Sequence, residues 1–334
     1  MNAHTIEQGA PSYCEMNSNR LPTWQKGGLS LADHFAHQDN PLLLFDGDGV
    51  VVCGDSLHKL QWSHPEIVFA LRALEESGVT LSPASARGDH FLRHLRAAGL
   101  EIFGPAILGG GQLCRVHDER LIFATPAQQT FFADLPAWFS RQEAYRAGFR
   151  LVQKEKEQGN TVYCRGDHQW QSPLRRTFWL IEDDAPDILY RNGIVTKEFF
   201  EQPARILAQK HGLDFDRDIS LGVSRMHLPD GKVLVIVRFA PNHDGNKVTK
   251  AAAVEAFLSE YRGWVFIADG FGDVELARLT CERGGLVISV GGNLDIAPDA
   301  EKFAGLADIQ LKNPAELVGA LYYAALIRAW ASAS

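Results

Sequence analysis

From residue 41 onward the apolar positions follow two alternating rhythms. Short unbroken runs read as strands buried on both faces: PLLLF (41–45), VTLSPAS (79–85), PAILGG (105–110), WVFIAD (264–269), LVISVGG (286–292) and ADIQL (307–311). Between them lie segments with the apolar periodicity of an amphipathic helix: PEIVFALRALEESG, DHFLRHLRAAG, residues 251–261 and 273–283, and the terminal PAELVGALYYAALIRAWA. Ser63, Pro65 and Glu66 predict a capping box with proline at the first helical position, and Gly78 predicts the end of that helix. Strands and helices in strict alternation, joined by short links, predict an α/β fold with a doubly wound, Rossmann-like parallel sheet.

The rhythm breaks after residue 111. Residues 112–241 mix strand-like pieces (RTFWLIED, DISLGVSRM, KVLVIVRFA) with helical ones (AQQTFFADLPAWFS, KEFFEQPARILAQKHG), as a separate α+β unit would. The sheet domain is therefore expected to be discontinuous, built from 41–111 and 242–334 around an inserted domain of 112–241. Residues 1–40 read as an N-terminal extension, flexible or surface-lying to about residue 27, with LSLADHFAHQ (29–38) as a short helix.

Composition narrows the partners. The chain has 334 residues, 46% of them hydrophobic, which suits a globular protein with large cores. A formal net charge of −8 argues against general nucleic-acid binding. The five cysteines are scattered without a C-x-x-C pair, which fits free thiols in a reducing compartment better than a disulfide framework or a zinc site. The first 40 residues hold no apolar run of signal or membrane-span length, so a soluble, cytoplasmic protein with no membrane partner is expected.

Four polar segments then change the picture, each standing at a strand end or a helix start. Asp46 and Asp48 close the first strand in DGDG; by themselves they are ordinary turn residues. Ser85 and Arg87 close the second strand, where a hydroxyl before a helix is commonly a cap. Lys247 and Lys250 precede a helix, where solvated lysines are commonplace. Asp269 ends a buried strand, and Asp273 falls in the first turn of the next helix, where acids meet the helix dipole. Taken together, acid pair, hydroxyl, lysine and acid pair line one edge of one sheet.

That set fits an anion held through a divalent cation. A carboxylate attacking a phosphate monoester meets a repulsion of about 4 kcal/mol per charge pair at 4 Å and an effective dielectric near 20. Cations must therefore be in place. Mg²⁺ accepts a few carboxylates and a phosphate oxygen; a lysine adds a second positive charge and a serine hydroxyl donates to a further oxygen. A second acid near the leaving oxygen can protonate it.

The ordered set resembles the motifs of the haloacid dehalogenase-like superfamily, in particular its phosphatases. Its first motif, a strand followed by Asp-x-Asp-Gly-Thr/Val, is matched by Asp46-Gly47-Asp48-Gly49-Val50. The resemblance implies Asp46 as nucleophile and metal ligand, and Asp48 as general acid/base that also lends its backbone carbonyl to the metal. The second motif, often Thr-Gly-Arg, is Ser85-Ala86-Arg87 here, which implies a phosphoryl-binding segment with Ser85 at its head. For the helix-opening lysine, Lys250 fits best, since Ala253, Val254, Phe257 and Leu258 follow it on one apolar face; Lys247 is the second choice. The fourth motif is matched by Ala268-Asp269-Gly270-Phe271-Gly272-Asp273, which implies Asp269 as metal ligand and Asp273 as ligand or as orienter of Lys250. Ala86, Ala251 and Gly272 depart from the usual Gly, Gly and Asn; none removes a charged group. An acid at position 48, absent from dehalogenases and phosphonate-cleaving members, favours a phosphatase or phosphotransferase.

The insertion between the second and third motifs resembles the type II cap of subfamily IIB, the Cof-type and sucrose-phosphatase-like branch. Such a cap implies leaving-group contacts, with Arg165 and Arg176 as the first candidates and Asp167, His168, Arg175 and Arg225 beside them, against the ordinary reading of exposed polar residues; Trp170 and Trp179 could stack on a sugar ring, but buried packing is the expected fate of such rings. The GGGQ segment (109–112) lacks the lysine and following helix of a P-loop and is expected to mark the crossing into the cap. The reading that follows is a Mg²⁺-dependent phosphohydrolase acting on a small phosphorylated metabolite, most favourably a sugar phosphate. A phosphotransferase on the same site and a non-catalytic phospho-ligand-binding protein are the alternatives.

Overall fold

The computed structural model describes residues 21–53, 60–116, 119–141, 149–157, 160–165, 176–182, 194–227, 233–259, 261, 263–270, 272–291 and 300–333. Its elements up to the insertion are α1 (Thr23–Ala36), β1 (Leu42–Phe45), β2 (Val52–Cys53), β3 (Gln61–Trp62), α2 (Ile67–Glu76), β4 (Thr80–Pro83), α3 (Asp89–Ala97) and β5 (Ala106–Leu108). There follow β6 (Leu113–Val116), β7 (Glu119–Ile122), α4 (Pro126–Ser140), β8 (Phe149–Glu157), β9 (Asn160–Arg165), β10 (Arg176–Glu182), α5 (Ile194–Lys210), α6 (Phe215–Asp218), β11 (Ile219–His227) and β12 (Val233–His243). The chain closes with β13 (Asn246–Lys247), α7 (Lys250–Phe257), β14 (Val265–Ala268), α8 (Val274–Glu282), β15 (Leu286–Val290), α9 (Ala300–Ala304), β16 (Ile309–Leu311) and α10 (Pro314–Ala333).

Strand β1 shows why its sequence is apolar throughout. Side chains alternate across a strand, and both faces of β1 are covered. Leu43 and Phe45 join a core with α1, α2, α3 and α10, whereas Leu42 and Leu44 join a second core with Ala253 and Val254 of α7 and Leu276 of α8. The sheet runs β16-β15-β14-β1-β4, all parallel, with Phe45 aligned to Ile267 on one side and to Pro83 on the other. β5 continues it through a single bridge, Ala84 to Ile107. From β1 the chain works outward through β4 and β5, then returns to the other flank of β1 as β14. A crevice opens at such a reversal of strand order, outside the carboxyl ends of the strands.

β5 also pairs with the hairpin β6–β7, so the expected change of unit at 111–112 falls between two strands that bond each other. Arg115 on β6 forks onto Asp89 at the start of α3, at 3.0 and 3.1 Å, and holds the hairpin to that helix. The insertion itself is an antiparallel sheet, β11-β12-β10-β8-β9, with β13 paired to β12. Phe131, Leu135 and Phe139 of α4 and Phe200 and Leu207 of α5 pack on Val237 and Phe239 of β12. A capping box does open α4: Thr125 Oγ1 accepts from Gln128 N at 3.2 Å, and Gln128 Oε1 accepts from Thr125 N at 2.7 Å. The amide of Gln128 then donates to the carbonyls of Asp218 and Asn242, tying α4 to the insertion's sheet.

Two expectations differ from the structure. Ser63 does not cap α2: its hydroxyl donates to the Val50 carbonyl at 2.5 Å, fastening the β2–β3 hairpin, and the helix starts later, at Ile67. The N-terminal helix starts at Thr23 rather than Leu29, and it is docked rather than loose. It lies along α10, with Leu31, Ala32 and Phe35 buried and Trp24 edge-on to Tyr323. A Cβ on Gly28 would come within 2.8 Å of the Tyr323 Cβ and 2.9 Å of the Ala320 carbonyl. The glycines that lower local helix propensity are what let the two helices approach.

Candidate active site

The three central strands deliver their terminal residues side by side. Asp46 follows β1, with its backbone N–H bonded to Ile267 O at 2.8 Å. Asp269 follows β14 on one flank, and Ser85 lies just beyond β4 on the other. After Asp46 the chain turns tightly, with Val52 N donating to Gly47 O at 2.8 Å and Gly49 N to Val52 O at 2.9 Å. This turn lies between its neighbours: a Cβ on Gly47 would come within 2.7 Å of Ser85 Oγ, and one on Gly49 would strike the Asp269 carboxylate.

Lys250 enters from α7. Thr249 caps that helix, accepting from Ala252 N at 3.2 Å, and Ala253, Val254 and Leu258 are buried below it. The apolar face thus turns Lys250 inward. Its Nζ donates to Asp46 Oδ1 and to Asp273 Oδ1, both at 2.7 Å, and the side chain is only 9% exposed. Lys247, the second choice, is exposed on β13.

Asp46, Asp269 and Asp273 are all buried, and one carboxylate oxygen of each lies within 4.8 Å of the others. Three carboxylates face one ammonium, so ionising all of them leaves an excess of negative charge in a low-dielectric site. Burial pushes Asp273 up to about 8 despite the opposing Lys250 charge, with Asp46 and Asp269 raising it further. Asp46 is also raised, first by burial and then by Asp269, against the pull of Lys250. Burial works against the Lys250 ammonium, but the charges of Asp273 and Asp46 outweigh it and hold its pKa above the ordinary value. Asp273 Oδ2 is buried and makes no hydrogen bond. An orphaned carboxylate oxygen within an all-oxygen donor set fits a hard divalent cation.

Asp48 points elsewhere. Its carboxylate receives Arg87 Nε at 3.0 Å on both oxygens, and Arg87 Nη2 as well. Its carboxylate is not part of the acidic trio. Ser85 is fully buried, and its Oγ accepts from Arg87 N at 3.1 Å. Ala86, between them, is half-buried. His90 and His94, one turn apart on α3, are both lowered below the ordinary value, first by burial and then by the Arg87 charge.

The triglycine segment does more than lead into the insertion. Gly109 N donates to Arg87 O at 2.7 Å, and Gly110 N to Ser85 O at 3.0 Å. Gly111 adopts φ +101°, and a Cβ there would strike the Thr249 carbonyl and approach Lys250 N to 2.9 Å. The segment therefore straps the Ser85–Arg87 turn to the start of α7. The sequence singles out GGGQ only as the crossing into the insertion, not as a strap, and nothing local in it marks the Arg87–Asp48 pair.

Of the leaving-group candidates, Arg165 lies on β9, Arg176 and Trp179 on β10, and Arg225 on β11. Their side chains lie outside the described residues, as do Asp167, His168, Trp170 and Arg175 altogether. Among the described residues no helix is long and apolar enough to cross a membrane.

No protein-family model and no curated protein matches the chain in sequence. Solved structures do match its fold. The trehalose-6-phosphate phosphatase of Aspergillus fumigatus superposes with TM-score 0.52 at 13% identity, over 90% of this chain and 97% of that one. The C-terminal domain of the C. albicans trehalose-6-phosphate phosphatase gives TM-score 0.52 at 12% identity, over 89% and 96%. A trehalose-6-phosphate phosphatase related protein gives 0.50 at 12%, over 87% and 99%. These superpositions show that the chain shares the fold of those structures, a doubly wound parallel sheet with an inserted α+β unit.

Proposed function

We propose that the chain is a Mg²⁺-dependent phosphohydrolase that cleaves a small phosphorylated metabolite, with a sugar phosphate as the substrate class. The observation that carries this reading is Lys250, buried and bonded at 2.7 Å to both Asp46 and Asp273 within a cluster of three carboxylates. A buried ion cluster costs several kcal/mol in desolvation and contributes little to stability by itself, so chemistry is the stronger reason for it. The trehalose-6-phosphate phosphatases that share the fold support the sugar-phosphate class.

In this reading Asp46 attacks phosphorus and forms an aspartyl-phosphate, while Asp48 passes its proton to the departing alcohol oxygen. Asp48 then takes a proton from the water that attacks the aspartyl-phosphate, and Asp46 is released. Ser85 and Lys250 hold the phosphoryl oxygens, and Lys250 leaves its pairing with Asp46 in part to do so. Asp46, Asp269, Asp273 and the Asp48 carbonyl would hold the cation. When bound, Mg²⁺ supplies charge neutralisation to the phosphoryl oxygens. The inserted sheet would carry the leaving-group contacts, Arg165 and Arg176 among them.

Phosphate release from a panel of phosphorylated sugars, with and without Mg²⁺, tests the proposal. Turnover should require the cation, and Asp46→Asn should abolish it while leaving the melting curve of the fold in place. Appreciable residual turnover by that variant would remove Asp46 as the nucleophile, and no turnover of any phosphate monoester by the wild type would remove the activity.

A further inference from the structure

We propose that Arg87 is a positioning residue for the proton donor: it holds the Asp48 carboxylate toward the leaving-group side of the site and does not bind the phosphoryl group. The inference rests on the phosphohydrolase reading above and assigns a role inside it. Its basis is an asymmetry of enclosure. The Arg87 side chain is 2% exposed, whereas that of Asp48, its partner, is 40% exposed. The guanidinium meets the carboxylate through its rigid fork, with Nε reaching both oxygens at 3.0 Å and Nη2 adding a further contact to Oδ1.

The backbone of Arg87 is pinned as well. Its N–H donates to Ser85 Oγ at 3.1 Å, and its carbonyl accepts from Gly109 N at 2.7 Å. An enclosed arginine on a pinned backbone has little freedom to swing toward a phosphoryl group, and leaving its carboxylate would strand a buried charge. Asp48 has an open side. The arginine is therefore the fixed partner and the aspartate the adjustable one. A planar fork fixes the orientation of a carboxylate, which a lysine ammonium does not.

The role follows from the proton balance. As the phosphorus–oxygen bond breaks, the Asp48 proton moves to the alcohol oxygen and the Asp48 carboxylate remains. Arg87 faces that carboxylate and keeps it aligned until it takes the proton of the attacking water. A departing alkoxide depends on this proton; a departing nitrophenolate scarcely does.

The test compares two esters by kcat/KM, which reports the steps up to loss of the leaving group. For Arg87→Met, general acid catalysis predicts a fall of about 100-fold with glycerol 2-phosphate and of no more than about fivefold with p-nitrophenyl phosphate. Arg87→Lys keeps the charge without the fork and should give the same split at about a tenth of the size; it carries the test if the methionine variant fails to fold. Guanidinium ion added to Arg87→Met should restore glycerol 2-phosphate turnover more than nitrophenyl phosphate turnover. Equal losses with both esters would overturn the assignment and return Arg87 to phosphoryl binding or to folding alone. A wild type that releases phosphate from neither ester nor from any phosphorylated sugar would instead overturn the phosphohydrolase reading, and this assignment with it; a sugar phosphate that is turned over takes the place of glycerol 2-phosphate in the comparison.

Discussion

His90 and His94 show how a single charged neighbour shapes a local response to pH. Both are partly enclosed beside Arg87, and Trp62 stacks on His94 with ring centroids 4.3 Å apart. Their pKa values are lowered from the ordinary 6.5, so below that pH the unfolded chain binds more protons than the folded one. Stability should fall as pH drops through 6.5 toward the lowered folded values. Thermal melts across this range should show a shallower dependence for the double variant His90→Gln, His94→Phe than for the wild type. At this scale much of the site was legible in the chain. The apolar face following Lys250 separated it from Lys247, because burial is a property of helical register. The partnership of Asp48 with Arg87 was not legible: the two are far apart in sequence, and either residue type alone suits a substrate contact.

Among the elements, α1 shows where local propensity misleads. Two adjacent glycines weaken the helix by about 1 kcal/mol each relative to alanine, and a reading from the sequence delays its start to Leu29. Contact with α10 reverses the balance, since those positions are where the helices touch. Gly28→Ala sets the two effects against each other. The propensity gain is about 1 kcal/mol, whereas forcing a methyl against Tyr323 and the Ala320 carbonyl costs about 1–3 kcal/mol. The variant should be destabilised, and denaturant unfolding would measure it; a stabilised variant would mean that α1 is not docked so closely. The strands of the parallel sheet were read well because burial on both faces leaves an unbroken apolar run. β8 escapes a reading from the sequence because its charged half, KEKE, hides the alternation, and β9, NTVYCR, is a short run of mixed polarity that does not set itself apart.

Across the whole molecule, the acidic trio joins parts of the chain that lie on either side of the insertion. Asp46 comes from the first half of the parallel sheet and Asp269 and Asp273 from the second. A cation bound there should stabilise the assembled sheet. At 100 times its dissociation constant Mg²⁺ would add about 2.7 kcal/mol to the unfolding free energy. The melting temperature should rise with Mg²⁺ in the wild type and far less in Asp269→Asn; equal rises in both would place the cation elsewhere. The strap at Gly109–Gly111 has an equally wide reach. With no side chain between them, the gap from the Ser85 turn to the Lys250 helix is one peptide thick, and even a methyl group at 111 would wedge the two apart. In a saturation-mutagenesis screen position 111 should therefore be as intolerant as the aspartates themselves, a silent caliper that sets the spacing of the groups on either side.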